Sequence, residues 1–317
     1  MSQIIPVIID TDMGVDDAYA VMLAFSSPLL KVIGITTCFG NVDVDSSSKN
    51  VMKILELLDK HARVAKGAAG PLLGKNRNYS NARGAFLHGK DGLGNVGYML
   101  PEPVHLEVDL DAVSYMASLI RNQDSKVTIV SLAPLTNVAT LLLAYPDIRD
   151  RIDGIAMMGG SVFGGNMLPA GEANIVADPE AAQIVLQSGV RIVMCGLEAA
   201  DSAYFVKDDI EMFRLIGGRT GRFYYDLSKD YLTATEKLTG ERRAVIYDSV
   251  PVAWLINPAV LRTRPCYVEV DLNGQYTRAC TVTDENCAER SPNAMVAFSL
   301  DRELFLKMHT EAFRQYG

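Results

Sequence analysis

The sequence of 317 residues lacks the features that would place it in a membrane, in a secretory compartment or on nucleic acid. No apolar run reaches the ~20 residues that a membrane-spanning helix needs. The first ten residues, MSQIIPVIID, lack the basic start and long apolar stretch of a signal peptide. There are five cysteines and no Cys-x-x-Cys pair, which favours a cytoplasmic location. With 30 Lys and Arg against 38 Asp and Glu, the net charge of −8 disfavours nucleic-acid binding.

The chain does contain an alternation of strand-like and helix-like segments. Short apolar, β-branched runs lie at 4–9, 32–37, 127–132, 152–157 and 190–194, and segments with helical spacing of apolar residues lie between several of them. This order is typical of βαβ units. It predicts a single Rossmann-like α/β domain over residues 1–317, with a mostly parallel central sheet flanked by helices.

Three polar or glycine-rich stretches interrupt the alternation, at 67–103, 159–178 and 228–248. Long loops within a compact domain are usually functional or disordered, so we expect parts of a site in them. Towards the end, residues 266–271 and 275–283 are predicted to form a hairpin.

Four carboxylates lie within eight residues directly after the first predicted strand, at Asp10, Asp12, Asp16 and Asp17. The carboxyl end of a strand in a parallel sheet is where ligands bind. Gly14 permits a tight turn that gathers these side chains. Capping and turn roles explain one or two such aspartates but not four. A hard cation with oxygen ligands, Ca²⁺ or Mg²⁺, would offset their mutual repulsion.

At this point the sequence resembles the inosine–uridine-preferring nucleoside hydrolases, whose signature Asp-Thr-Asp-x-Gly-x-Asp-Asp is matched at every fixed position by residues 10–17. An ordered series over roughly 240 residues extends the resemblance, which makes it specific. Its further members are Gly40-Asn41, His88-Gly89 to Gly94, Ala133 to Asn137, Met157 to Gly160, Asn166, Glu172-Ala173-Asn174, Asp178 to Ala182 and Asp248.

The resemblance implies a role for each matched residue. A Ca²⁺ would be held by Asp12, Asp17, Asp248 and the main-chain carbonyl of Leu132. Asp12 would be the general base on a water that Asn41 helps to orient, and Asp10 would support the loop from behind. The ribose hydroxyls would be held by Asp16, Met158, Asn166, Glu172, Asn174 and, through the metal site, Asp248. The implied activity is hydrolysis of the N-glycosidic bond of a small ribonucleoside, by a homodimer or homotetramer.

The sequence departs from the commonest branch of the family at the position before Asp248, where Tyr247 replaces a histidine that helps the base to leave. A tyrosine of ordinary pKa is a sluggish acid at neutral pH. It could instead stack on the base, as tryptophan does in a purine-specific branch, and this favours purine nucleosides. His88 points the other way, because pyrimidine-handling members carry a histidine in the same loop. Pyrimidine and modified nucleosides therefore stay open, and Phe86, Tyr225 and Tyr231 are further stacking candidates.

Two readings of another class remain. The chain could bind nucleosides or ribose without cleaving them, as the loss of the usual histidine suggests. The retained set argues against this, because binding alone needs no positioned water and base; it comprises Asp12, Asp16, Asp17, Asn41 and Asp248. A metal-dependent phosphatase is the weaker reading, because the matched motifs contain no Lys or Arg that would hold a phosphate.

Overall fold

The computed structural model describes residues 4–74, 82–103, 107–287 and 289–317. Part of the predicted loop at 67–103 therefore lies outside the described residues. The strands are β1 (Ile5–Thr11), β2 (Leu30–Thr37), β3 (Val64–Lys66), β4 (Val127–Ser131), β5 (Ile152–Met158), β6 (Ile192–Cys195), β7 (Tyr204–Phe205), β8 (Ala244–Val245), β9 (Leu261–Val270), β10 (Thr281–Asp284) and β11 (Ala294–Leu300).

The α-helices are α1 (Val15–Ser26), α2 (Val44–Leu57), α3 (Ala82–His88), α4 (Ala112–Asn122), α5 (Thr136–Ala144), α6 (Ala173–Ala177), α7 (Pro179–Leu186), α8 (Leu197–Ala200), α9 (Lys207–Ile216), α10 (Gly218–Thr239), α11 (Ser249–Ile256) and α12 (Arg302–Arg314). Short 3₁₀ helices cover Gly97–Met99, Pro146–Arg151 and Pro258–Val260.

Nine strands form one sheet in the order β10-β9-β11-β6-β5-β4-β1-β2-β3. The pairs from β11 through β6, β5, β4, β1, β2 and β3 are parallel, and β9 pairs antiparallel with both β11 and β10. This confirms the predicted α/β class with a mostly parallel sheet. The hairpin prediction is also confirmed, although β10 begins later, at Thr281, than the predicted second arm.

Helices cover both faces of the sheet, and β1 contributes to the core on each side. Val7 and Ile9 belong to one buried cluster with α1, α10 and α12, whereas Ile8 belongs to a second cluster with α4, α5 and α7. The alternation follows from the period of two along a strand. Because β1 is buried on both faces, its residues read as a continuous apolar run, and its first polar side chains come at the carboxyl end.

The strand order places the site. β1 lies between β4 and β2: the chain continues from β1 to β2 and β3 on one side, and then crosses back to β4 on the other side. A crevice opens at such a reversal, outside the carboxyl ends of the strands, and this is where α/β proteins bind ligands. Asp10 pairs there with Ser131 of β4 and Thr36 of β2.

The prediction of a loop at 228–248 is wrong for residues 228–239, which form the last part of the 22-residue helix α10. Tyr224, Leu227 and Tyr231 lie buried on one face of this helix. The other face of the helix is charged. When the helical period is not recognised, the alternation of apolar and charged residues resembles a polar loop. Among the described residues, no helix combines the length and apolar character needed to cross a membrane.

Candidate active site

A pocket opens at the carboxyl ends of β1, β2, β4 and β5, and the residues predicted for the site meet in it. It is lined by Asp12, Asp16, Gly40, Asn41, Arg83, Gly84, Leu87, His88, Leu132, Pro134, Met158, Asn166, Met167, Glu172, Ala173, Asn174, Ala177, Tyr231, Tyr247 and Asp248. Of the predicted catalytic, ribose-binding and metal-binding residues, Asp17 is absent from this lining, and it is fully buried beside it. Two of the three further stacking candidates do not line the pocket: Phe86 is 46% exposed, and the ring of Tyr225 lies against Arg214 and Lys229.

The loop between β1 and α1 is held by its own aspartate. Asp17 Oδ2 accepts a hydrogen bond from the backbone N–H of Gly14 at 2.7 Å, and Asp17 Oδ1 accepts one from the hydroxyl of Thr11. Gly14 has an ordinary φ of −100°. Glycine is needed here because it has no side chain: a Cβ at this position would come within 2.6 Å of His88 Nδ1 and 2.8 Å of Asn41 Nδ2. Glycine at this position thus lets two other pocket residues approach the loop.

Three buried carboxylates, those of Asp16, Asp17 and Asp248, each place an oxygen within 4.8 Å of the others. Burial, followed by the charge of Asp17, raises the pKa of Asp16 to about 8. Burial and the neighbouring Asp16 raise the pKa of Asp248 well above its ordinary value. Without a compensating charge the group therefore holds protons at neutral pH.

Asp12 lies against this group. Its Oδ2 accepts the backbone N–H of Asn41 at 2.6 Å, and its Oδ1 is buried without a hydrogen-bond partner among the described residues. Burial, followed by the charge of Asp17, raises its pKa well above the ordinary value. Asp16 Oδ1 likewise accepts no hydrogen bond from the described residues, although it lies 3.6 Å from His88 Nδ1. Of the predicted cation ligands, Asp17 and Asp248 belong to the group of three close carboxylates, whereas Asp12 does not and Asp16 takes its place there. Buried carboxylate oxygens without hydrogen-bond partners fit a hard divalent cation, which the aspartate pattern predicts.

The other predicted ligand, the carbonyl of Leu132, accepts the side-chain amide of Asn174 at 2.8 Å. The same amide donates to the carbonyl of Met158 at 3.1 Å. Asn174 thus joins the ends of β4 and β5 at the rim of the pocket. A carbonyl oxygen has two lone pairs, so this contact leaves one for a further partner.

Glu172 organises the neighbouring wall. Its buried carboxylate caps α6 and accepts the backbone N–H groups of Gly160 at 3.0 Å, Asn174 at 2.9 Å and Ile175 at 3.2 Å. Asn166 Oδ1 accepts the N–H of Ala173 at 3.0 Å, which fixes the glycine-rich loop on the same helix start. These bonds explain why a Gly-rich stretch with no strand of its own presents polar groups in a defined place.

At the opposite end the pocket is aromatic. The ring of His88 lies 5.4 Å from that of Tyr231, and His88 Nδ1 accepts the backbone N–H of Val15 at 3.1 Å. Tyr231 donates its hydroxyl to the carbonyl of Val245 at 2.8 Å, and Tyr247 donates its hydroxyl to Asp201 Oδ1 at 2.9 Å. Burial lowers the pKa of His88 to about 3, so the ring is neutral.

Behind the aspartates, Asp10 and Asn137 form a buried support. Asn137 Nδ2 donates to Asp10 Oδ1 at 2.8 Å and to the carbonyl of Thr37 at 2.9 Å. Its Oδ1 accepts the N–H of Ala68 at 2.9 Å. This arrangement agrees with a supporting position for Asp10, since its carboxylate faces the neighbouring strands and not the pocket.

Some pocket residues were missed from the sequence. Arg83 and Leu87 lie on α3, a seven-residue helix within a stretch that read as loop. Gly84 is the residue in the sequence that could have indicated this helix. A Cβ at Gly84 would come within 2.4 Å of the Asn41 carbonyl oxygen, so glycine lets the helix pack directly on the turn at Asn41. The contact of Asp201 with Tyr247, outside the pocket lining, was also not predicted, and no spacing in the sequence indicates it.

With this geometry, the chain can be compared with known proteins. It matches the family model for inosine-uridine preferring nucleoside hydrolases over residues 7–307. It is 38% identical over 322 residues to the pyrimidine-specific ribonucleoside hydrolase RihA of Salmonella newport (strain SL254), with 99% of each chain covered. Among solved structures, a purine-preferring ribonucleoside hydrolase from Gardnerella vaginalis has a TM-score of 0.92 at 29% identity, with 98% of each chain covered. An inosine-guanosine nucleoside hydrolase has a TM-score of 0.88 at 30% identity, covering 97% of this chain and 98% of that one. The chain therefore belongs to the inosine-uridine preferring nucleoside hydrolase family, and it is an enzyme of the nucleoside N-glycosidase class.

Proposed function

We propose that the pocket holds a ribonucleoside with its ribose over the aspartates and its base between His88 and Tyr247, and that it hydrolyses the bond between them with Ca²⁺ as cofactor. The observation that carries the proposal is the juxtaposition of buried, unpartnered carboxylate oxygens of Asp12 and Asp16 with the amide of Asn174 in one pocket. One end of that pocket suits a polyhydroxylated sugar, and the other suits a flat ring.

The family is generally metal-dependent, and the cation proposed here is Ca²⁺. We assign Asp17 and Asp248 as its ligands, because both belong to the predicted set and to the group of three close carboxylates. We assign the remaining positions to Asp12 and the Leu132 carbonyl, which leaves Asp16 for the 2′-hydroxyl. When bound, the cation compensates the carboxylate charge, fixes the ribose diol and lowers the pKa of the attacking water.

Asp12 is the proposed general base. Because its Oδ2 is engaged by the N–H of Asn41, its Oδ1 is the oxygen available to receive a proton from water. The side chain of Asn41 donates to Asp17 at 3.3 Å, which holds the Asn41 turn at the cluster. Cleavage builds positive charge on the ribose, as in other glycoside hydrolyses, and nearby carboxylates stabilise it.

The ribose is recognised by the wall that Glu172 organises. We assign Asn174 to the 3′-hydroxyl, and Met158, Asn166 and Glu172 to the 5′-hydroxyl end. The carboxylate of Glu172 would repel a 5′-phosphate in this buried place, which supports an uncharged nucleoside as substrate.

For the base, we place pyrimidine ribonucleosides first. The pyrimidine-specific RihA relative is 38% identical over nearly the whole chain. His88 adds a physical reason: because Nδ1 accepts the Val15 N–H, the ring proton lies on Nε2, and this donor suits a carbonyl oxygen next to the glycosidic bond, which every natural pyrimidine nucleoside carries.

Purine ribonucleosides are the second candidate. Tyr247 supplies an aromatic ring at the base end, and the two solved structures described above are named for purine preference or for inosine and guanosine. The preference for purines that Tyr247 suggested thus stays a prediction. Uridine, cytidine, inosine, adenosine and guanosine, compared by kcat/KM on the same preparation, decide between the two.

The experiment that tests the activity measures free base by chromatography and ribose by a reducing-sugar assay, with Ca²⁺ and with a chelator. Asp12→Asn should lower kcat by about 10²-fold or more, in the range of general-base loss. Asp124→Asn, at an exposed aspartate, is the matched control. Tight ribonucleoside binding with no base released would favour a binding protein, and a requirement for phosphate with ribose 1-phosphate as product would contradict hydrolysis.

The whole chain of 317 residues is proposed to act as one domain in a cytoplasmic homodimer or homotetramer. The RihA relative aligns over 99% of both chains, which supports one functional unit. Light scattering after size exclusion measures the assembly.

A further inference from the structure

Two tyrosine hydroxyls lie at the base end of the pocket, and both give their single proton to fixed acceptors. Tyr231 donates to the carbonyl of Val245 at 2.8 Å, and Tyr247 donates to Asp201 Oδ1 at 2.9 Å. A tyrosine that protonates a departing base must direct its O–H at a ring nitrogen or oxygen of that base. Tyr247 would first have to leave a carboxylate, whose hydrogen bonds are stronger than those of neutral acceptors.

The position of Asp201 follows from a small sheet outside the main one. β7 pairs antiparallel with β8, with Tyr204 opposite Val245 and Phe205 opposite Ala244. The N–H of Ile246 then donates to the carbonyl of Ala203 at 2.6 Å, which continues the ladder by one step. Continuing the same register brings the segment at Asp201 alongside that of Tyr247, although 46 residues separate them in the chain.

Arginine side chains hold this small sheet in place. The guanidinium of Arg302 lies 4.4 Å from the ring centroid of Tyr204, and its Nε donates to the Tyr204 carbonyl at 3.1 Å. Its other end forms an ion pair with Asp209. Arg243 lies 4.9 Å from the Tyr204 centroid, and its positive charge acts on Asp201. Asp201, which accepts the Tyr247 hydroxyl, therefore lies next to a strand, β7, that these contacts hold in place.

Asp201 is exposed at the surface, whereas Tyr247 is half-buried and lines the pocket. Asp201 does not line the pocket, and it is joined to a lining residue by the hydrogen bond from the Tyr247 hydroxyl.

We propose that Asp201 is a positioning residue: it fixes the ring of Tyr247 at the base end of the pocket and retains the phenolic proton, so that Tyr247 contacts the base through its ring and does not act as the acid for the leaving group. This inference rests on the proposed function, because it concerns the base end of the same substrate. The sequence left two roles open for Tyr247, an acid for the leaving group or a stacking partner for the base. The inference assigns the second role.

The test compares Tyr247→Phe, Asp201→Ala, Asp201→Asn and the double variant Tyr247→Phe/Asp201→Ala in the Ca²⁺-loaded enzyme. Two substrates are used, uridine and 4-nitrophenyl β-D-ribofuranoside, whose leaving group departs as an anion and needs no acid. Tyr267 and Glu269 provide matched controls, because the Tyr267 hydroxyl donates to Glu269 at 2.8 Å on β9, outside the pocket lining. Tyr267→Phe and Glu269→Gln should match wild type.

Tyr247→Phe and Asp201→Ala should each raise KM about three- to tenfold, the size of effect that one hydrogen bond of ordinary net strength supports. The fall in kcat should be smaller and equal for both substrates. Asp201→Asn should restore most of the loss, because its amide oxygen still accepts the hydroxyl. The double variant should resemble either single one, since both remove the same bond.

The opposite pattern would overturn the inference. If Tyr247 is the acid, Tyr247→Phe lowers kcat for uridine by about 10²-fold or more while the nitrophenyl riboside is cleaved as before. If Asp201 does not position Tyr247, Asp201→Ala behaves as wild type or the two effects multiply. Calorimetric affinities for uridine, measured with Asp12→Asn added to each protein so that turnover is blocked, separate the two proposals. A wild-type enzyme that binds uridine and releases no base contradicts the proposed function alone. Equal affinities of Asp12→Asn and Asp12→Asn/Asp201→Ala contradict the positioning role.

Discussion

The backbone N–H of Val15, the first residue of α1, donates a hydrogen bond of 3.1 Å to Nδ1 of His88. One contact thereby connects the helix that carries Asp16 and Asp17 to the aromatic end of the pocket. It also sets the chemistry of the histidine. With Nδ1 engaged as an acceptor, the proton of the neutral ring lies on Nε2, and the positive end of the α1 dipole disfavours a second proton.

His88 should therefore act as a hydrogen-bond donor to the base and not as an ionised acid. His88→Phe keeps a ring against Tyr231 and removes the donor, so kcat/KM for uridine should fall about 10- to 100-fold, the cost of one well-placed hydrogen bond to substrate. The exposed His61→Phe is the control. Unchanged kcat/KM for every ribonucleoside would rule out this role.

The carboxylate group predicts how cation binding depends on pH. In the cation-free protein the pKa of Asp16 is raised to about 8 and that of Asp10 to about 6, both mainly by burial. The folded, cation-free state thus holds more protons than the unfolded state above the ordinary aspartate pKa, and its stability falls as pH rises towards about 8. A cation competes with those protons.

Calcium affinity should therefore increase from pH 6 to pH 8, with protons released on binding. Calorimetry in buffers of different ionisation enthalpy measures both quantities. At a concentration of 100 times Kd, the ion should stabilise the protein by about 2.7 kcal/mol. Asp17→Asn should weaken binding at each pH, and Asp124→Asn should not. An affinity independent of pH would mean that the carboxylates do not hold these protons.

Contiguous parts of the site were the parts that the sequence could predict. Asp10 to Asp17 run from the carboxyl end of β1 through a short turn into the first turn of α1, so their position at the sheet edge follows from local pattern alone. The contact of Tyr247 with Asp201 could not be predicted, because it depends on the pairing of two strands of two residues each, which have no measurable period. Helix α10 was missed for a related reason: Ser228 is polar yet buried, and it is accommodated by the hydroxyl of Tyr19 at 2.8 Å, a partner 209 residues away.

Gly40 gives a prediction about the general base. A Cβ at this position would lie 1.8 Å from Asp12 Oδ2, so Gly40→Ala must displace the Asp12 carboxylate or the turn that holds it. Misplacing a reacting group by about 1 Å can cost 10²-fold in rate, so kcat should fall by about that factor. Gly70→Ala is the control, since a Cβ there meets nothing within 4 Å. Circular dichroism should show both variants folded, and a Gly40→Ala enzyme of normal kcat would contradict the role of Asp12.

His309 gives a prediction about acid stability. It is fully buried among Tyr19, Phe205 and Phe305, its Nδ1 bonds to the Phe305 carbonyl at 3.0 Å, and burial lowers its pKa to about 4. The folded state binds fewer protons than the unfolded state, so the contribution is complete above the unfolded pKa of about 6.5 and is lost as pH falls towards 4.

Between pH 7 and pH 5 the wild type should lose about 2 kcal/mol of unfolding free energy relative to His309→Leu. The comparison of the two proteins cancels the carboxylates, whose raised pKa values act in the opposite direction. Urea denaturation at each pH measures the difference, and His61→Leu should follow the wild type. Parallel pH curves for wild type and His309→Leu would show that His309 titrates normally in the folded state.

The ribose end predicts strong selection against 2′-deoxynucleosides. Asp16 is buried, its Oδ1 has no hydrogen-bond partner among the described residues, and it is the group that we place at the 2′-hydroxyl. A substrate without this hydroxyl leaves a buried charged acceptor unpaired, and sites built around a hydroxyl reject such analogues by about 10⁴-fold or more. The ratio of kcat/KM for uridine to that for 2′-deoxyuridine should reach this range. In Asp16→Asn the ratio should fall mainly through loss of uridine cleavage, because the deoxy substrate has no contact to lose. Comparable kcat/KM values for the two substrates in the wild type would place the 2′-hydroxyl elsewhere and remove the reason for assigning Asp16 to it.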